Sequence, residues 1–208
     1  MRRLLAISLL IAMAPGFAYG QAGVIALYVD PTYVDCDIMD FAPALVPVYV
    51  VHKLCPGATA SRFMIAASGD FAMTHVGEIH HMPITLGDSR SGICMGYGVC
   101  QASDILLITV NYFAQGLSGT CSFLEVVADP TSQRGRIEMM DCAGTVLAAG
   151  GAKLYVNSDG SCYCWYSSTS GESSKSKPED KIAAAPNDFC YPLPTQNGSW
   201  GQVKTLYR

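Results

Sequence analysis

Short runs of hydrophobic residues recur between residues 21 and 166, and groups of Gly, Pro, Asp and Ser separate them. Several runs alternate: Arg136, Glu138 and Met140 fall on one face of an extended strand, and Ile137 and Met139 fall on the other. β-branched and aromatic residues are frequent, as in "VYVV" and "LLITVNYF", and they favour strands. The pattern predicts strands at Val24–Val29, Pro47–His52, Arg62–Ala67, Met73–Ile79, Ile93–Val99, Ile105–Phe113, Cys121–Ala128, Arg136–Asp141, Thr145–Asn157 and Cys162–Tyr166.

Many short strands at this spacing indicate an all-β protein. The predicted architecture is an antiparallel β-sandwich, either immunoglobulin-like or jelly-roll-like, that is stapled by disulfides. No window of about 12 residues between Gln21 and Ser167 shows a helical stripe. A small β-barrel is the alternative architecture.

The N-terminus has the layout of a secretory signal peptide. Two arginines precede an apolar run that ends near Met13, and small residues at Ala18 and Gly20 precede a cut before Gln21. The run is shorter than the roughly 20 residues of a membrane span. We therefore expect residues 1–20 to be removed and the mature protein to have no transmembrane segment.

The chain after the predicted signal peptide divides into three segments. A sandwich domain at residues 21–166 is followed at residues 167–181 by "SSTSGESSKSKPEDK", which lacks core residues and is typical of a flexible linker. A tail at residues 182–208 completes the chain.

The end of this tail predicts a short helix. Ser199 can cap it, and it carries Trp200, Val203 and Leu206 at every third position. A helix this short is unstable alone and needs a docking surface. Two interpretations stay open: the helix packs on its own sandwich, or it is a targeting signal (an address) that an export or surface-attachment machinery recognises.

Composition narrows the location and the partners. Without Arg2 and Arg3 the chain has 11 Lys and Arg against 17 Asp and Glu, and this acidic balance disfavours nucleic-acid binding. Nine cysteines in a chain of this length argue against a reducing compartment. We expect a periplasmic, cell-surface or extracellular protein.

The nine cysteines favour disulfides over a metal site, because the only close pair, Cys162 and Cys164, does not have zinc-ligand spacing. If residues 129–135 turn a hairpin, Cys121 faces Cys142 across two strands, and a disulfide could join them. Cys162 and Cys164 share one strand face and should bond different partners.

Three further cysteines have candidate roles. Cys94 and Cys100 could close the ends of the segment "CMGYGVC", and Cys36 is a further disulfide candidate. One of the nine cysteines must stay out of intrachain pairs, and Cys190 in the tail is the first candidate. An exposed thiol there would allow a covalent dimer.

Three of the four histidines lie in the segment "MTHVGEIHHM". Imidazole and thioether groups together suit copper. In a regular strand Met73, His75 and His81 share one face, while Glu78 and His80 share the other. The predicted copper ligands are therefore Met73, His75 and His81, and the alternative is a polar strand edge.

Two other groups of polar residues have a functional and a structural interpretation. Calcium could bind at Asp35, Asp37 and Asp40, or at Asn157 and Asp159, but neither set completes a calcium loop, and turn chemistry explains both.

The segment Gly87–Ser89 resembles the opening of an esterase motif, but it sits between strands without the helices of that fold. We expect a turn there.

The two ends of the mature chain resemble a group of proteins. "QAGVIALYVD" and "SWGQVKTLYR" are similar to the ends of exported, cysteine-containing bacterial β-sandwich proteins, which open on a strand with Gly, Tyr and Asp and end in WGx[IV]KxLYR. The resemblance implies an extracytoplasmic sandwich whose last residues are an address. It implies no catalytic residues and no ligand.

The predicted function is a non-enzymatic interaction or structural module of the bacterial surface, envelope or extracellular matrix, with a protein or glycan partner. The alternative is a module that binds carbohydrate or copper. Tyr163, Trp165 and Tyr166 could form an aromatic strip for sugar rings, although an aromatic beside a disulfide is more often core. An unrecognised hydrolase is a third hypothesis, which would require a deep polar pocket.

Overall fold

The structure is a computed structural model that describes residues 23–162. The predicted signal peptide, linker, tail and aromatic strip lie outside these residues. The described residues form thirteen strands, and they contain no helix with the length and apolar character needed to cross a membrane. The strands are β1 (Val24–Tyr28), β2 (Asp37–Ile38), β3 (Ala44–Lys53), β4 (Ala58–Ala67), β5 (Thr74–His80), β6 (Ile84–Asp88), β7 (Gly92–Gln101), β8 (Ile105–Ala114), β9 (Ser122–Val127), β10 (Glu138–Asp141), β11 (Val146–Ala148), β12 (Gly150–Gly151) and β13 (Lys153–Val156).

The strands form two sheets. One sheet has five strands in the order β12-β1-β3-β8-β5. The other sheet has eight strands. Six of them follow the order β11-β10-β4-β9-β13-β2, β7 also pairs with β4, and β6 pairs with β7. Pairing is antiparallel except for the short pairs β1–β12 and β2–β13. The architecture is thus an all-β sandwich and not a closed barrel, which confirms the predicted fold class.

The inner faces of the two sheets build one main core. Val48 and Val110 come from the five-stranded sheet, and Phe63 and Leu154 come from the other. Each such side chain, fully buried, stabilises the fold by about 1.5–3 kcal/mol. The predicted alternation near β10 is confirmed, because Met139 joins this core while Met140 packs with Ala60 in a separate small cluster.

The predicted strand Thr145–Asn157 is three short strands. β11 pairs with β10, β12 pairs with β1 of the opposite sheet, and β13 pairs with β9. The chain can change sheets here because Gly151 has no side chain: a Cβ at this position would lie 2.3 Å from the Val126 carbonyl oxygen. The strands β2 and β6 were not predicted. Gly87 and Asp88, where a turn was expected, are the last residues of β6, and the turn itself comprises Ser89–Ser91.

The disulfides differ from the predicted pairs. Cys100 bonds Cys142, and Cys121 bonds Cys162. The predicted pair Cys121–Cys142 is wrong because β9 and β10 do not form a hairpin; both pair with β4, β9 with Met64–Ala67 and β10 with Ala58–Arg62.

The predicted closure of Cys94 with Cys100 is also wrong. Both residues lie on β7, and six residues of extended strand span about 20 Å. Cys36 and Cys94 are disulfide-bonded as well. Cys55 is a free and buried thiol, whereas Cys164 and Cys190 lie outside the described residues.

Candidate interaction face and the cluster at its edge

The edge strand β5 contains an irregularity that decides which of its side chains meet. His75 is opposite Tyr112 of β8 and Gly77 is opposite Asn111, so Val76 is an extra residue in the ladder. An extra residue shifts the alternation of a strand by one position. His75, Glu78 and His80 therefore share the inner face, which a regular strand would not allow.

The structure does not bring together the predicted copper ligands. Met73 is buried in the main core. The His81 Nε2 atom lies 3.0 Å from the hydroxyl of Thr109, on the outer face. His75 contacts Glu78 on the inner face, with 3.3 Å between Nε2 and Oε1.

Glu78 is the centre of a polar cluster between the two sheets. Its Oε1 atom accepts hydrogen bonds from the backbone nitrogen of Ser89 at 3.1 Å and from the Ser89 hydroxyl at 2.5 Å. Its Oε2 atom lies 3.2 Å from Nε2 of His80. Burial works to raise the pKa of Glu78, but the hydrogen bonds from Ser89 and His80 and the proximity of His75 bring that pKa below its ordinary value.

This cluster has the character of a structural tie rather than of a catalytic centre. The Ser89 hydroxyl is fully buried and donates to a carboxylate instead of to a histidine. A serine nucleophile needs an accessible oxygen with a histidine base. Burial, followed by the nearby charge of Glu78, also raises the pKa of Tyr112, so its phenol stays protonated.

One group of potential metal ligands within 4.8 Å of one another occurs among residues 23–162: Cys121, Asp159 and Cys162. The two sulfur atoms are bonded to each other, and a disulfide lacks the thiolates that bind metal ions. The group therefore does not fit a metal ion.

The candidate calcium ligands hold loops in place. The Asp40 carboxylate accepts backbone hydrogen bonds from Gln115 at 3.0 Å, Gly116 at 2.6 Å and Ser118 at 3.0 Å. Asp35 accepts the backbone N–H of Asp37. The turn chemistry that was the alternative to calcium accounts for these contacts.

Asp37 and Asp159 also make contacts within the protein. Asp37 accepts a hydrogen bond from Ser158 at 2.8 Å, and Asp159 accepts one from the Ser161 backbone at 2.9 Å. The Asn157 side-chain oxygen accepts the backbone N–H of Asp40 at 2.7 Å. These oxygens are thus engaged in fixing the chain.

The outer side of β3, β8 and β5 is an exposed apolar surface, which we call the open face. Leu45 pairs with Phe113, and Ile79 pairs with Thr109, each pair pointing away from the core. Leu45, Ile79 and Phe113 are 61%, 55% and 41% exposed. The residues in register on this face are uncharged: Leu45, Phe113, Thr74, Pro47, Asn111, Gly77, Tyr49, Thr109 and Ile79.

The other half of the outer side is covered by the protein itself. The loop after β1 places the ring of Tyr33 6.0 Å from that of Tyr28 and 6.3 Å from that of Tyr49. Beneath it lies a second apolar cluster that includes Val51 and Ala152. Asp30 shapes the loop by accepting backbone hydrogen bonds, among them those of Val34 and Asp35.

Two exposed residues extend the open face at one end. Phe41 and Leu117 lie in loops that meet where the Gly116 backbone approaches the Phe41 carbonyl. Sequence reasoning missed the open face because the alternation of β3 and β8 shows two faces without showing which of them a loop covers.

The comparisons with known proteins give structural similarities only. No family model and no curated protein matches the chain. The sixth cohesin of Acetivibrio cellulolyticus scaffoldin B, in complex with a Cel5 dockerin mutant, is 14% identical with a TM-score of 0.41, over 65% of this chain and 97% of that chain.

Two further solved cohesins are similar to the same extent. The cohesin of the OlpC–Doc435 complex from Clostridium thermocellum is 10% identical with a TM-score of 0.41, over 68% of this chain and 98% of that chain. The cohesin module of a family 33 glycoside hydrolase from Clostridium perfringens is 9% identical with a TM-score of 0.39, over 66% and 99%. At this level the similarities carry no argument about function.

Proposed function

We propose that the protein is an exported, non-enzymatic interaction module of the bacterial surface, envelope or extracellular matrix, and that the open face binds a protein partner. The observation that carries the proposal is the contrast between the two halves of one outer surface. The chain covers one half with Tyr33 and its loop and leaves Leu45, Ile79 and Phe113 exposed on the other.

A scaffold of this kind suits a function outside the cell interior. Cys36, Cys94, Cys100, Cys121, Cys142 and Cys162 are in disulfides, which persist in oxidising compartments. Disulfides also restrict the unfolded chain and so stabilise a small sandwich. These features support export, which the predicted signal peptide would provide.

The chemistry of the open face defines its partner. Its registered residues are apolar or neutral; Asn111 is a half-buried hydrogen-bonding group among them, whereas Thr109 is buried and contacts His81. Such a surface matches a protein segment that presents apolar side chains, because burial of apolar area drives association and charges are depleted from interface cores. We therefore expect binding that changes little with salt concentration.

The alternative functions have less support. The aromatic strip proposed for carbohydrate binding lies outside the described residues and stays a prediction. The copper ligands proposed from sequence do not meet, because Met73 is in the core and His81 is on the outer face.

A photo-crosslinking experiment in the producing bacterium tests the proposal. The crosslinking residue replaces Phe113 on the open face, which is 41% exposed. As the control it replaces Leu86 on β6 of the other sheet, which is more exposed at 60% and therefore at least as accessible. We expect an adduct with a second protein from position 113 and none from position 86.

A second variant makes the result specific. Leu45→Asp should abolish the adduct formed at position 113, because a charge would be buried in the interface. Equal adducts from both positions, or no adduct from position 113, would contradict the proposal.

A further inference from the structure

The described chain ends next to the open face. Cys162 is bonded to Cys121, whose backbone N–H donates to the Asn157 carbonyl. The Asn157 side chain in turn bonds the backbone of Asp40 at 2.7 Å and of Ser118 at 2.9 Å. The chain therefore leaves the sandwich at the end where these loops lie.

The same end of the sandwich carries the exposed apolar loops of the open face. Phe41 follows Asp40, and Leu117 precedes Ser118. The first register pair of β3 and β8, Ala44 with Ala114, lies beside them, and Leu45 with Phe113 comes next. The exit point and the start of the open face are thus neighbours.

The chain beyond this point is long enough to return across the face. It comprises 46 residues after Cys162, of which 38 lead to Trp200. A fully extended chain covers about 3.3 Å per residue, so the ten residues from Cys190 to Trp200 reach about 33 Å even if a disulfide holds Cys190. The distance from Leu45 to Tyr49 along β3 is about 14 Å, since a strand rises about 3.4 Å per residue.

The last nine residues match this surface in apolar pattern, and their charge is opposite to the net charge of the domain that carries it. Trp200, Val203 and Leu206 recur at every third position of "WGQVKTLYR", and Lys204 and Arg208 give the segment a charge of +2. Residues 23–162 contain 13 acidic residues and 6 Lys and Arg, a net charge of −7. A helix of nine residues is about 13 Å long, close to the length of the open face.

We propose that Trp200–Arg208 packs on the open face of its own chain when no partner is bound, with Trp200, Val203 and Leu206 toward Leu45 and Phe113. This inference rests on the proposed function for its consequence: a protein partner competes with the segment for the same apolar surface. Attraction between the acidic domain and the basic segment lowers the cost of docking, and the disulfide at Cys162 keeps the segment at a high local concentration.

Fluorescence of Trp200 in the full mature chain tests the docking. Trp165→Phe leaves Trp200 as the only tryptophan. We expect a blue-shifted emission and weaker acrylamide quenching than in the synthetic peptide WGQVKTLYR. Leu45→Ser combined with Phe113→Ser should bring quenching to the level of the free peptide.

The matched control is Leu86→Ser combined with Val99→Ser, two residues of the other sheet that are 60% and 62% exposed. This variant should keep Trp200 protected. All four side chains are exposed, so the substitutions leave the core intact, and circular dichroism confirms folding of each variant.

Three results would overturn the inference. In the first, Trp200 of the chain with an unsubstituted open face is quenched as strongly as the free peptide. In the second, both double variants expose Trp200 equally. In the third, the protection of Trp200 disappears on dilution, which would show docking between copies. A chain truncated after Ser199 adds a second measurement, because it should bind the labelled peptide while the Leu45→Ser, Phe113→Ser form of it does not.

Failure of this inference is distinguishable from failure of the proposed function. An exposed Trp200 together with an intermolecular adduct at position 113 would contradict the docking of the segment and support the partner site. A protected Trp200 in the full chain, without any adduct at position 113 in the truncated chain, would support the docking and contradict the proposed protein partner.

Discussion

The Ser89 hydroxyl donates to Oε1 of Glu78 at 2.5 Å, and this bond joins the two sheets. Glu78 lies on β5, at the edge of the five-stranded sheet, and Ser89 lies between β6 and β7 of the other. His80 contacts the second carboxylate oxygen at 3.2 Å. The edge of the open face is thus held against the opposite sheet by an ionised carboxylate.

Glu78→Gln should destabilise the protein by about 1–3 kcal/mol near pH 7, because a buried network loses a charged acceptor. The folded-state pKa of Glu78 is below its ordinary 4.5. A lowered pKa contributes stability that is present above pH 4.5 and is lost as the pH falls through the folded pKa. The difference between the two proteins should therefore shrink toward pH 3, as measured by urea unfolding.

Glu125→Gln is the control for this experiment. Glu125 pairs with Lys153 at 3.5 Å, and both side chains are partly exposed, so the change should cost less than about 1 kcal/mol at either pH. A Glu78→Gln effect that stays constant from pH 7 to pH 3 would show that the carboxylate charge does not hold the sheets together.

Much of the sandwich could be predicted from sequence because alternation is a local property of a strand. Ile137 and Met139 face the core as expected. The alternation does not indicate that Val76 is an extra residue, because a bulge arises from the pairing of β5 with β8. The extra residue shifts the alternation by one position, so Glu78 lies on the same face as His75. The predicted copper ligands His75 and His81, which share a face in a regular strand, therefore lie on opposite faces.

Disulfide pairs depended on contacts between distant segments. The hairpin that placed Cys121 opposite Cys142 assumed that β9 and β10 are neighbours, but both strands pair with β4. Cys142 instead reaches Cys100 beside Gly57, where a Cβ would lie 3.2 Å from the Cys142 sulfur. Sequence spacing contains no information on such a crossing.

Peptide mapping without reduction should therefore find Cys100 linked to Cys142 and Cys121 linked to Cys162. Cys55 is buried, and its Sγ atom lies 3.0 Å from the Gln101 carbonyl oxygen; burial raises the pKa of this thiol. It should react with an alkylating reagent only after denaturation. Recovery of a peptide that links Cys121 to Cys142 would contradict the strand order.

Arg62→Met should cost about 3 kcal/mol in the free energy of unfolding. The Arg62 guanidinium lies 3.1 Å from Asp129 and 3.9 Å from the buried carboxylate of Glu138, and it donates to the Thr131 hydroxyl. Removing this cation leaves the buried Asp129 carboxylate poorly compensated, whereas Glu138 keeps its ion pair with Arg134 at 2.9 Å.

Arg90→Met is the matched control, because Arg90 is mostly exposed and lies 4.0 Å from Asp88. Its effect should stay within about 0.5 kcal/mol. Equal effects of the two substitutions in chemical denaturation would mean that Arg62 does not stabilise the buried acids.

Tyr33→Asn should destabilise the protein by about 1–2 kcal/mol and increase binding of an apolar dye, because the ring contacts with Tyr28 and Tyr49 are lost. Tyr33 has a φ of 58°, a conformation that asparagine accepts readily, so the change removes the cover without adding backbone strain. Val34→Asn, at the exposed neighbouring position, should alter neither the unfolding free energy nor the dye signal. If both variants behave alike, the loop does not cover the second apolar cluster, and the distinction between a covered half and an open half of the outer surface fails with it.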